Sequence, residues 1–304
     1  MKNILYLFLI PWMAQAQVKP AENHYLSFPD AKALHAYFRY QPDMQPIVSG
    51  HRGTIANNCP ENSIAAFEFV LSQAQTMFEI DPRLTKDSVI VVFHDATMER
   101  TSTGKGKVID HTWAELQQLH LKDQAGNVTE YKIPTLDEIL EWARDKTILV
   151  LDKKDVPLPM IADMIRKHHA DRYVINMVRS TEDARFYYDD SPDRMFSVSI
   201  RTPETFEAYV KAGIPCSQMF ACTGIEIKAE NQELFHLLHC HGICCLIAAA
   251  TNYDRLPTEE ERATAYRSIL VSGADIIESN YPLEVVKQVK NQRQVVAGTQ
   301  FFLP

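Results

Sequence analysis

From residue 47 to residue 289 the chain alternates short apolar or β-branched runs with longer amphipathic segments. Residues 47–49 form the first apolar run, and residues 62–74 form the first amphipathic segment, with Ile64, Phe67 and Leu71 at helical spacing. Regular alternation of strands and helices is typical of repeated β/α units. The pattern therefore predicts an α/β protein with a parallel sheet.

Eight such β/α pairs can be assigned along the chain. The predicted strands cover residues 47–49, 77–84 with an extension over 88–93, 147–151, 173–178, 195–200, 217–221, 244–249 and 275–278. The predicted helices cover residues 62–74, 133–140, 159–168, 181–188, 203–212, 231–239, 258–271 and 283–289. Eight pairs predict a TIM (β/α)8 barrel. The alternative, an open doubly wound sheet, requires a glycine-rich phosphate loop after the first strand, and the sequence has none there.

Three segments fall outside the alternation. Residues 95–132 are rich in turn signals and predict a small insertion after the second strand. Residues 17–45 form a lead-in with a short helix over 30–40, and residues 293–304 form an apolar tail. The barrel itself is expected to cover residues 46–292.

The first sixteen residues have the pattern of a secretory signal peptide. Lys2 provides the positive charge, residues 4–13 are apolar, and residues 14–16 match a small-residue cleavage site. The apolar run is too short to span a bilayer. A buried N-terminal helix is the alternative. We expect an exported protein, periplasmic or secreted, with no integral membrane segment after cleavage.

Composition and charge narrow the choice of partner. The chain has 304 residues, of which 46% are hydrophobic and 23% charged, as in globular proteins with a large core. The formal net charge of −8 argues against nucleic acid or an anionic membrane as the main partner. The six cysteines permit disulfides in an exported protein, although Cys244 and Cys245 lie in an apolar run and are expected to be buried thiols.

Polar side chains recur where the predicted strands end. His51 ends the first strand, Glu79 and Asp81 lie in the second, and His94 ends its extension. Residues 79 and 81 point to the same side of a strand and can share a cation. Because the carboxyl ends of barrel strands meet at one rim, the side chains should converge there with Asp152. This arrangement indicates acid/base chemistry beside a hard metal ion.

Five short motifs occur in order between residues 51 and 95. They read HRG at 51–53, PEN at 60–62, E-x-D at 79–81, TKD at 85–87 and HD at 94–95, followed by RTSTGKG at 100–106. Together they resemble the glycerophosphodiester phosphodiesterase family of exported bacterial enzymes. The resemblance is dense over residues 46–154 and sparse afterwards, apart from the last strand. It implies a barrel of the phospholipase C-like phosphodiesterase type.

The resemblance also implies an activity and the residues that perform it. The expected reaction is metal-dependent hydrolysis of a small-molecule glycerophosphodiester to sn-glycerol 3-phosphate and an alcohol. His51 and His94 would be the general acid/base pair, and Arg52 and Lys154 would bind the phosphate oxygens. Which histidine is the acid stays open, as does the choice between direct attack by water and a cyclic phosphate intermediate.

A metal site is implied by the same motifs. Glu79, Asp81 and Asp152 would supply three oxygen ligands to one divalent cation, Ca²⁺ or Mg²⁺. Asp152 replaces the glutamate of the family's E-x-K motif. Glu61 and Asn62 would support the site, although both also suit a helix start, Asn62 as the N-cap residue and Glu61 as a nearby charge.

Two later segments depart from the family pattern. Residues 279–282 resemble T-D-x-P with Asn280 in place of aspartate, and residues 246–249 lack the family's W-T-V-N. The preferred alcohol therefore stays open. The alternatives to the main interpretation are a phospholipase of the sphingomyelinase D or phosphatidylinositol-specific phospholipase C type, and a phosphate-binding barrel without catalysis.

His236, His239 and His241 lie close together in sequence and suggest a zinc site. They end a predicted helix beside two leucines, so packing or an interaction with the helix dipole is favoured.

Overall fold

A computed structural model describes residues 24–229 and 231–299 of the chain, with side chains to residue 291. The predicted signal peptide and the end of the apolar tail lie outside the described residues. Within that described part, no helix is long and apolar enough to cross a membrane.

The strands confirm a closed barrel of eight parallel strands. The chain forms β1 (Ile47–His51), β2 (Met77–Ile80), β3 (Pro82–Leu84), β4 (Ile90–Val92), β5 (Leu149–Leu151), β6 (Val174–Val178), β7 (Met195–Ser199), β8 (Met219–Gly224), β9 (Cys245–Ala248) and β10 (Ile276–Ser279). The barrel order is β1-β10-β9-β8-β7-β6-β5-β2. Every one of the eight predicted barrel strands is present.

Helices follow the barrel strands as predicted. They are α1 (Ala31–Tyr37), α2 (Ile64–Leu71), α3 (Trp113–Leu116), α4 (Leu136–Ala143), α5 (Leu158–His168), α6 (Thr181–Asp190), α7 (Pro203–Lys211), α8 (Asn231–Cys240), α9 (Glu259–Val271) and α10 (Pro282–Thr299). α4 begins later than predicted because Thr135 and Glu138 form a capping box. α10 continues past its predicted end at residue 289.

The second predicted strand, residues 77–84 with an extension over 88–93, is wrong beyond residue 80, where β2 ends. Residues 88–93 do not extend β2, because β3 and β4 pair with each other as a separate antiparallel hairpin, with Leu84 opposite Ile90. Ser88 has a left-handed φ of 65°, and the Thr85 amide donates to the Val89 carbonyl, so the chain reverses here. The predicted insertion is present, but it begins at residue 82 rather than 95.

The barrel interior is filled with apolar side chains at its amino-terminal end. These side chains are Ile47, Met77, Ile148, Val150, Ile175, Met195, Phe220, Cys244, Leu246 and Ile276. Leu34 and Phe38 from the α1 region join them, and the Phe38 and Phe220 rings stack with centroids 5.2 Å apart. The lead-in therefore closes this end, and open polar positions remain at the other end.

The insertion has a small apolar core of its own. Its buried members are Val91, Phe93, Met98, Val108, Leu116, Leu121 and Ile133. Phe93 belongs to this core, and the next residue is His94. The packing of Phe93 therefore holds the backbone at His94 in place. A second, larger apolar layer fills the space between the strands and the outer helices.

The structure pairs none of the six cysteines. Cys244 and Cys245 are fully buried in the barrel, as predicted, and behave as small apolar side chains.

Candidate active site

Four candidate residues meet at the carboxyl end of the barrel, as predicted. His51 ends β1 and lies opposite Glu79 in the β1–β2 register. Asp81 directly follows β2, and Asp152 directly follows β5, where its amide donates to the Ile80 carbonyl at 2.9 Å. The parallel register of neighbouring strands therefore places these side chains at one rim.

Glu79, Asp81 and Asp152 form a compact acidic cluster. One carboxylate oxygen from each lies within 4.8 Å of the others. Glu79 Oε2 is buried and accepts no hydrogen bond, and the buried Asp81 Oδ1 has only the Lys154 ammonium as a partner. Burial, followed by the neighbouring carboxylates, raises the pKa of Glu79 well above its usual range. Asp152, one methylene shorter than the glutamate of the motif, still reaches the cluster.

This donor set fits a hard divalent cation. Three converging carboxylates match the ligand preference of Ca²⁺ and Mg²⁺, and one of them, Glu79, has a buried oxygen without a donor. A bound cation would also offset the repulsion that buried negative charges otherwise suffer. The acidic cluster is therefore a candidate metal site.

Two cations flank Asp81 in the acidic cluster. Arg52 Nε lies 3.3 Å from Asp81 Oδ2, and Lys154 Nζ lies 3.0 Å from Asp81 Oδ1 and also pairs with Asp152. Burial alone would raise the pKa of Asp81, but Lys154 and Arg52 hold it below its usual range. The adjacent Lys153 bonds to Asp183 instead, so only Lys154 enters the site.

A tight turn after β1 presents Arg52. Arg52 and Gly53 both have positive φ, 56° and 93°, and the Arg52 amide donates to the Glu79 carbonyl. A Cβ on Gly50 would stand 2.3 Å from the Gly53 carbonyl oxygen. Because a side chain cannot occupy that space, Gly50 is required for the turn.

The hydrogen bonds of His51 define its tautomer. Its Nδ1 lies 2.8 Å from Asn280 Oδ1, while Asn280 Nδ2 donates to the Ala250 carbonyl. The Asn280 oxygen can only accept, so Nδ1 carries the proton and Nε2 is bare, 3.9 Å from Glu79 Oε2. Burial, aided by Arg52, lowers the pKa of His51 to about 4. A neutral His51 can accept a proton through Nε2.

His94 reaches the site from the hairpin rather than from a barrel strand. Its Nδ1 donates to Asp95 Oδ1 at 2.6 Å, which leaves Nε2 free. Arg83 donates to the His94 carbonyl and to Asp155, and so fixes the hairpin end. The Phe93 amide donates to the Asp81 carbonyl at 2.8 Å, which joins the hairpin to the acidic cluster.

Glu61 joins the two halves of the site. Its carboxylate accepts from Arg52 at 3.1 Å and from Arg100 twice at 2.8 Å. Arg100 in turn donates to Asp95 at 2.6 and 2.9 Å, and this pairing is the largest cause of a lowered pKa at Asp95. A continuous chain of charges therefore links the barrel turn to the His94 hairpin.

Asn62 contacts the acidic cluster directly. Its Nδ2 donates to Asp81 Oδ2 at 2.7 Å. The alternative role as the N-cap of α2 is wrong, because Ser63 is the cap residue and accepts from the Ala66 amide.

Comparison with known proteins decides the family. The model of the glycerophosphoryl diester phosphodiesterase family matches residues 51–208. The chain belongs to this family. A crystal structure of a family member from Parabacteroides distasonis is 47% identical with a TM-score of 0.87, and the match covers 89% of this chain and 95% of that one.

More distant family members share parts of the chain or the fold. A glycerophosphodiester phosphodiesterase of Caldanaerobacter subterraneus is 41% identical over 108 residues, 35% of this chain and 44% of that protein. The alignments to the first curated relatives thus span under half of their length. An Oleispira antarctica phosphodiesterase, solved with the product sn-glycerol-3-phosphate, has the same fold at 19% identity and a TM-score of 0.63, covering 81% and 97% of the two chains.

The candidate site has further members that the sequence did not single out. Glu278 lies in β10, and burial together with Asp152 and Asp81 raises its pKa to about 7. Asp254 accepts hydrogen bonds from Ser279 Oγ and from the Asn280 amide, and so positions the partner of His51. Glu278 was detectable as an acidic residue in an apolar strand, whereas Asp254 lies in a turn without a motif.

The three histidines near α8 do not converge. His239 Nε2 lies 2.8 Å from Asp275 Oδ2, and its ring stacks on Tyr40. His241 bonds to the Leu237 carbonyl, and His236 faces a cysteine sulfur. His239 does lie near Asp275 and Cys245, at the amino-terminal end of the barrel. There Asp275 Oδ2 already accepts from the Cys245 amide, so this cluster joins β9, β10 and the lead-in.

Proposed function

We propose that this chain is a metal-dependent glycerophosphodiester phosphodiesterase that produces sn-glycerol 3-phosphate and an alcohol. The observation that carries the proposal is that two histidines with free Nε2 atoms meet a three-carboxylate cluster and two cations at one rim. The 47% identical family member supports the same activity. The proposal includes export, which rests on the signal-peptide pattern of residues 1–16.

Arg52 and Lys154 bind the non-bridging phosphate oxygens. Both lie beside Asp81, and both belong to charged networks that fix their side chains. Glu61 holds Arg52, and Asn62 holds Asp81, so these two residues orient the groups that contact the phosphate. Charge-assisted hydrogen bonds of this kind are short and directional.

Glu79, Asp81 and Asp152 would hold one divalent cation, Ca²⁺ or Mg²⁺. When bound, that cation supplies positive charge to the phosphate oxygens as the reaction proceeds. Glu79 Oε2 is buried and accepts no hydrogen bond, so it is available as a ligand.

The two histidines move the protons. Neutral His51 accepts a proton at Nε2 from the attacking hydroxyl, and Asn280 holds the opposite ring nitrogen in its protonated form. His94 donates a proton from Nε2 to the leaving alkoxide oxygen, while Asp95 stabilises the charged ring through Nδ1. The hydroxyl can belong to water or to the glycerol next to the phosphate.

The first experiment is a product assay. The purified protein, stripped of metal and then supplied with Ca²⁺ or Mg²⁺, is incubated with glycerophosphocholine, glycerophosphoethanolamine and glycerophosphoinositol. We expect release of glycerol 3-phosphate that depends on the metal. No release from any of them by a folded, metal-binding protein would favour the phospholipase alternative, and lysophospholipids would be tested next.

The His94→Ala variant tests the proposed acid. We expect turnover to fall about 10²- to 10⁴-fold, the usual contribution of a positioned acid or base. His111→Ala, which removes an insertion histidine that bonds only to the Lys105 carbonyl and approaches Glu115, is the matched control and should keep its activity. Wild-type turnover in a folded His94→Ala protein would remove His94 from the mechanism.

A further inference from the structure

Glu278 is a buried carboxylate at the mouth of the barrel. It lies in β10, opposite Ser49 of β1 and Ala248 of β9 in the strand register. Residues that alternate with it along β10 face the interior, as Ile276 does. Only 8% of Glu278 is exposed, so its side chain lies on the floor of the mouth.

The Glu278 carboxylate has no protein partner. No hydrogen bond or ion pair joins it to any other residue in the described part of the chain. Its neighbour Ser49 is also fully buried, and Ser49 Oγ likewise lacks a partner. Buried polar groups nearly always have a hydrogen-bond partner. A carboxylate at the mouth that no protein group contacts, beside a buried hydroxyl without a partner, indicates a place that a ligand completes.

The wall next to Glu278 is built from small side chains. Ala248 lies beside it on β9, and Cys222 lies at the mouth end of β8, both half-buried. Neither side chain can donate a strong hydrogen bond to a carboxylate. These two neighbours therefore leave the Glu278 carboxylate without a donor on this side.

Glu278 is also separate from the acidic cluster. The oxygens of Glu79, Asp81 and Asp152 lie within 4.8 Å of one another, and Glu278 does not belong to this group. Glu278 lies opposite Ser49, two residues before His51 on the same face of β1, so it lies close to the rim that holds the proposed phosphate site.

We propose that Glu278 is a specificity-determining residue that binds a hydrogen-bond donor of the substrate adjacent to its phosphodiester. This inference rests on the proposed function. The donor is either a hydroxyl of the glycerol half, which every glycerophosphodiester carries, or a hydroxyl or ammonium of the alcohol half. A carboxylate accepts from both, and such charge-assisted bonds discriminate strongly against ligands that lack the donor.

The test compares ligands with and without the donor. Calorimetry measures binding of glycerol 3-phosphate and of methyl phosphate, which has no hydroxyl, to the metal-supplemented wild-type, Glu278→Gln and Glu278→Leu proteins. The ratio kcat/KM is measured for glycerophosphocholine, whose headgroup has no donor, and for glycerophosphoethanolamine. Glu226→Gln is the control, because Glu226 is a carboxylate after β8 that already pairs with Lys228.

We expect the Leu variant to lose on the order of tenfold in affinity for glycerol 3-phosphate, and the Gln variant less, since it keeps a neutral acceptor. Methyl phosphate binding should not change. An equal loss of kcat/KM with both diesters would place the donor in the glycerol half. A loss confined to glycerophosphoethanolamine, with glycerol 3-phosphate binding unchanged, would place it in the alcohol half.

Other outcomes overturn the inference. Equal loss of methyl phosphate and glycerol 3-phosphate binding, or a weaker metal titration, would make Glu278 part of the phosphate or metal site. Unchanged binding and unchanged kcat/KM in both variants would show that no donor contacts it. If the wild-type protein turned over neither diester while glycerol 3-phosphate binding still depended on Glu278, the proposed function would fail. The assignment of Glu278 as the residue that binds a hydroxyl donor would still be supported.

Discussion

At the scale of single residues, Asp81 is the side chain on which the site depends most. Its Oδ2 accepts from Asn62 and pairs with Arg52, and its Oδ1 pairs with Lys154. Because the proposed phosphate-binding cations and the proposed metal would share this carboxylate, phosphate binding and metal binding would be coupled. Changes at its neighbours should therefore affect both.

Replacing Glu79 by glutamine should weaken metal binding. The change keeps the size of the side chain but removes one negative charge from the cluster, and hard cations bind carboxylates in preference to amides. We expect at least about a tenfold higher Kd for Ca²⁺ or Mg²⁺, which corresponds to about 1.4 kcal/mol. Glu226→Gln, which alters a carboxylate that pairs with Lys228, is the control. An unchanged metal titration would remove Glu79 from the ligand set.

His51 should make the metal-free protein sensitive to acid. Its folded pKa of about 4 lies below the ordinary histidine value of about 6.5. Between those pH values the unfolded chain binds a proton that the folded protein does not, so stability falls as the pH falls. Urea unfolding at pH 7 and pH 5 should show a larger loss for wild type than for His51→Gln. Equal losses would mean that His51 is not held neutral.

The sequence predicts the site residues at the carboxyl ends of the barrel strands. It does not predict residues that position a site residue through contacts between segments distant in sequence. His51, Glu79, Asp81 and Asp152 could be placed together because parallel strands end at one rim. Asp254 could not, because its effect passes through Ser279 and Asn280, and nothing local in a turn signals such a contact.

At the scale of elements, the β3–β4 hairpin and the β1 turn each carry part of the site. An apolar run has the same sequence pattern in a hairpin and in one continued strand, so the pattern alone predicts the continued strand. Only the reversal at Ser88 and the antiparallel register separate the two possibilities. The β1 turn is easier to predict from the sequence, because its two glycines, its histidine and its arginine are consecutive residues.

Gly50→Ala should disable the turn that presents Arg52. A Cβ would lie 2.3 Å from the Gly53 carbonyl and 2.8 Å from the Phe78 ring, so backbone must move. We expect kcat/KM to fall by on the order of 10²-fold, because misplacing a binding group by about 1 Å has that effect. Gly126→Ala is the control for backbone strain alone, because Gly126 has a φ of 85° but the new Cβ meets nothing within 4 Å, and it should keep its activity. Full activity in Gly50→Ala would contradict the turn's role.

At the scale of the whole molecule, the two ends of the barrel have different tasks. The α1 region closes the amino-terminal end with apolar packing, and the carboxyl end holds the charges. Stability and chemistry are therefore separated along the barrel axis.

Phe38→Ala should reduce stability without changing the chemistry. Phe38 is 1% exposed and stacks on Phe220, so its removal leaves a cavity costing about 3–5 kcal/mol. Urea unfolding measures the loss, and kcat/KM at a temperature where both proteins are folded should be unchanged. Val271→Ala, at a residue 81% exposed, should change stability by less than about 0.5 kcal/mol. A large fall in kcat/KM in the folded Phe38→Ala protein would show that the amino-terminal and carboxyl ends of the barrel are coupled.

The closure of the barrel has a consequence for the order of events during synthesis. β10 completes the ring by pairing with β1, and it delivers Asn280 to His51 across 229 positions of sequence. The ribosome makes every group proposed for the chemistry long before it makes the residue that orients the first histidine. Activity is thus the last property that the growing chain acquires, and a polypeptide truncated before β10 should leave phosphodiesters uncleaved.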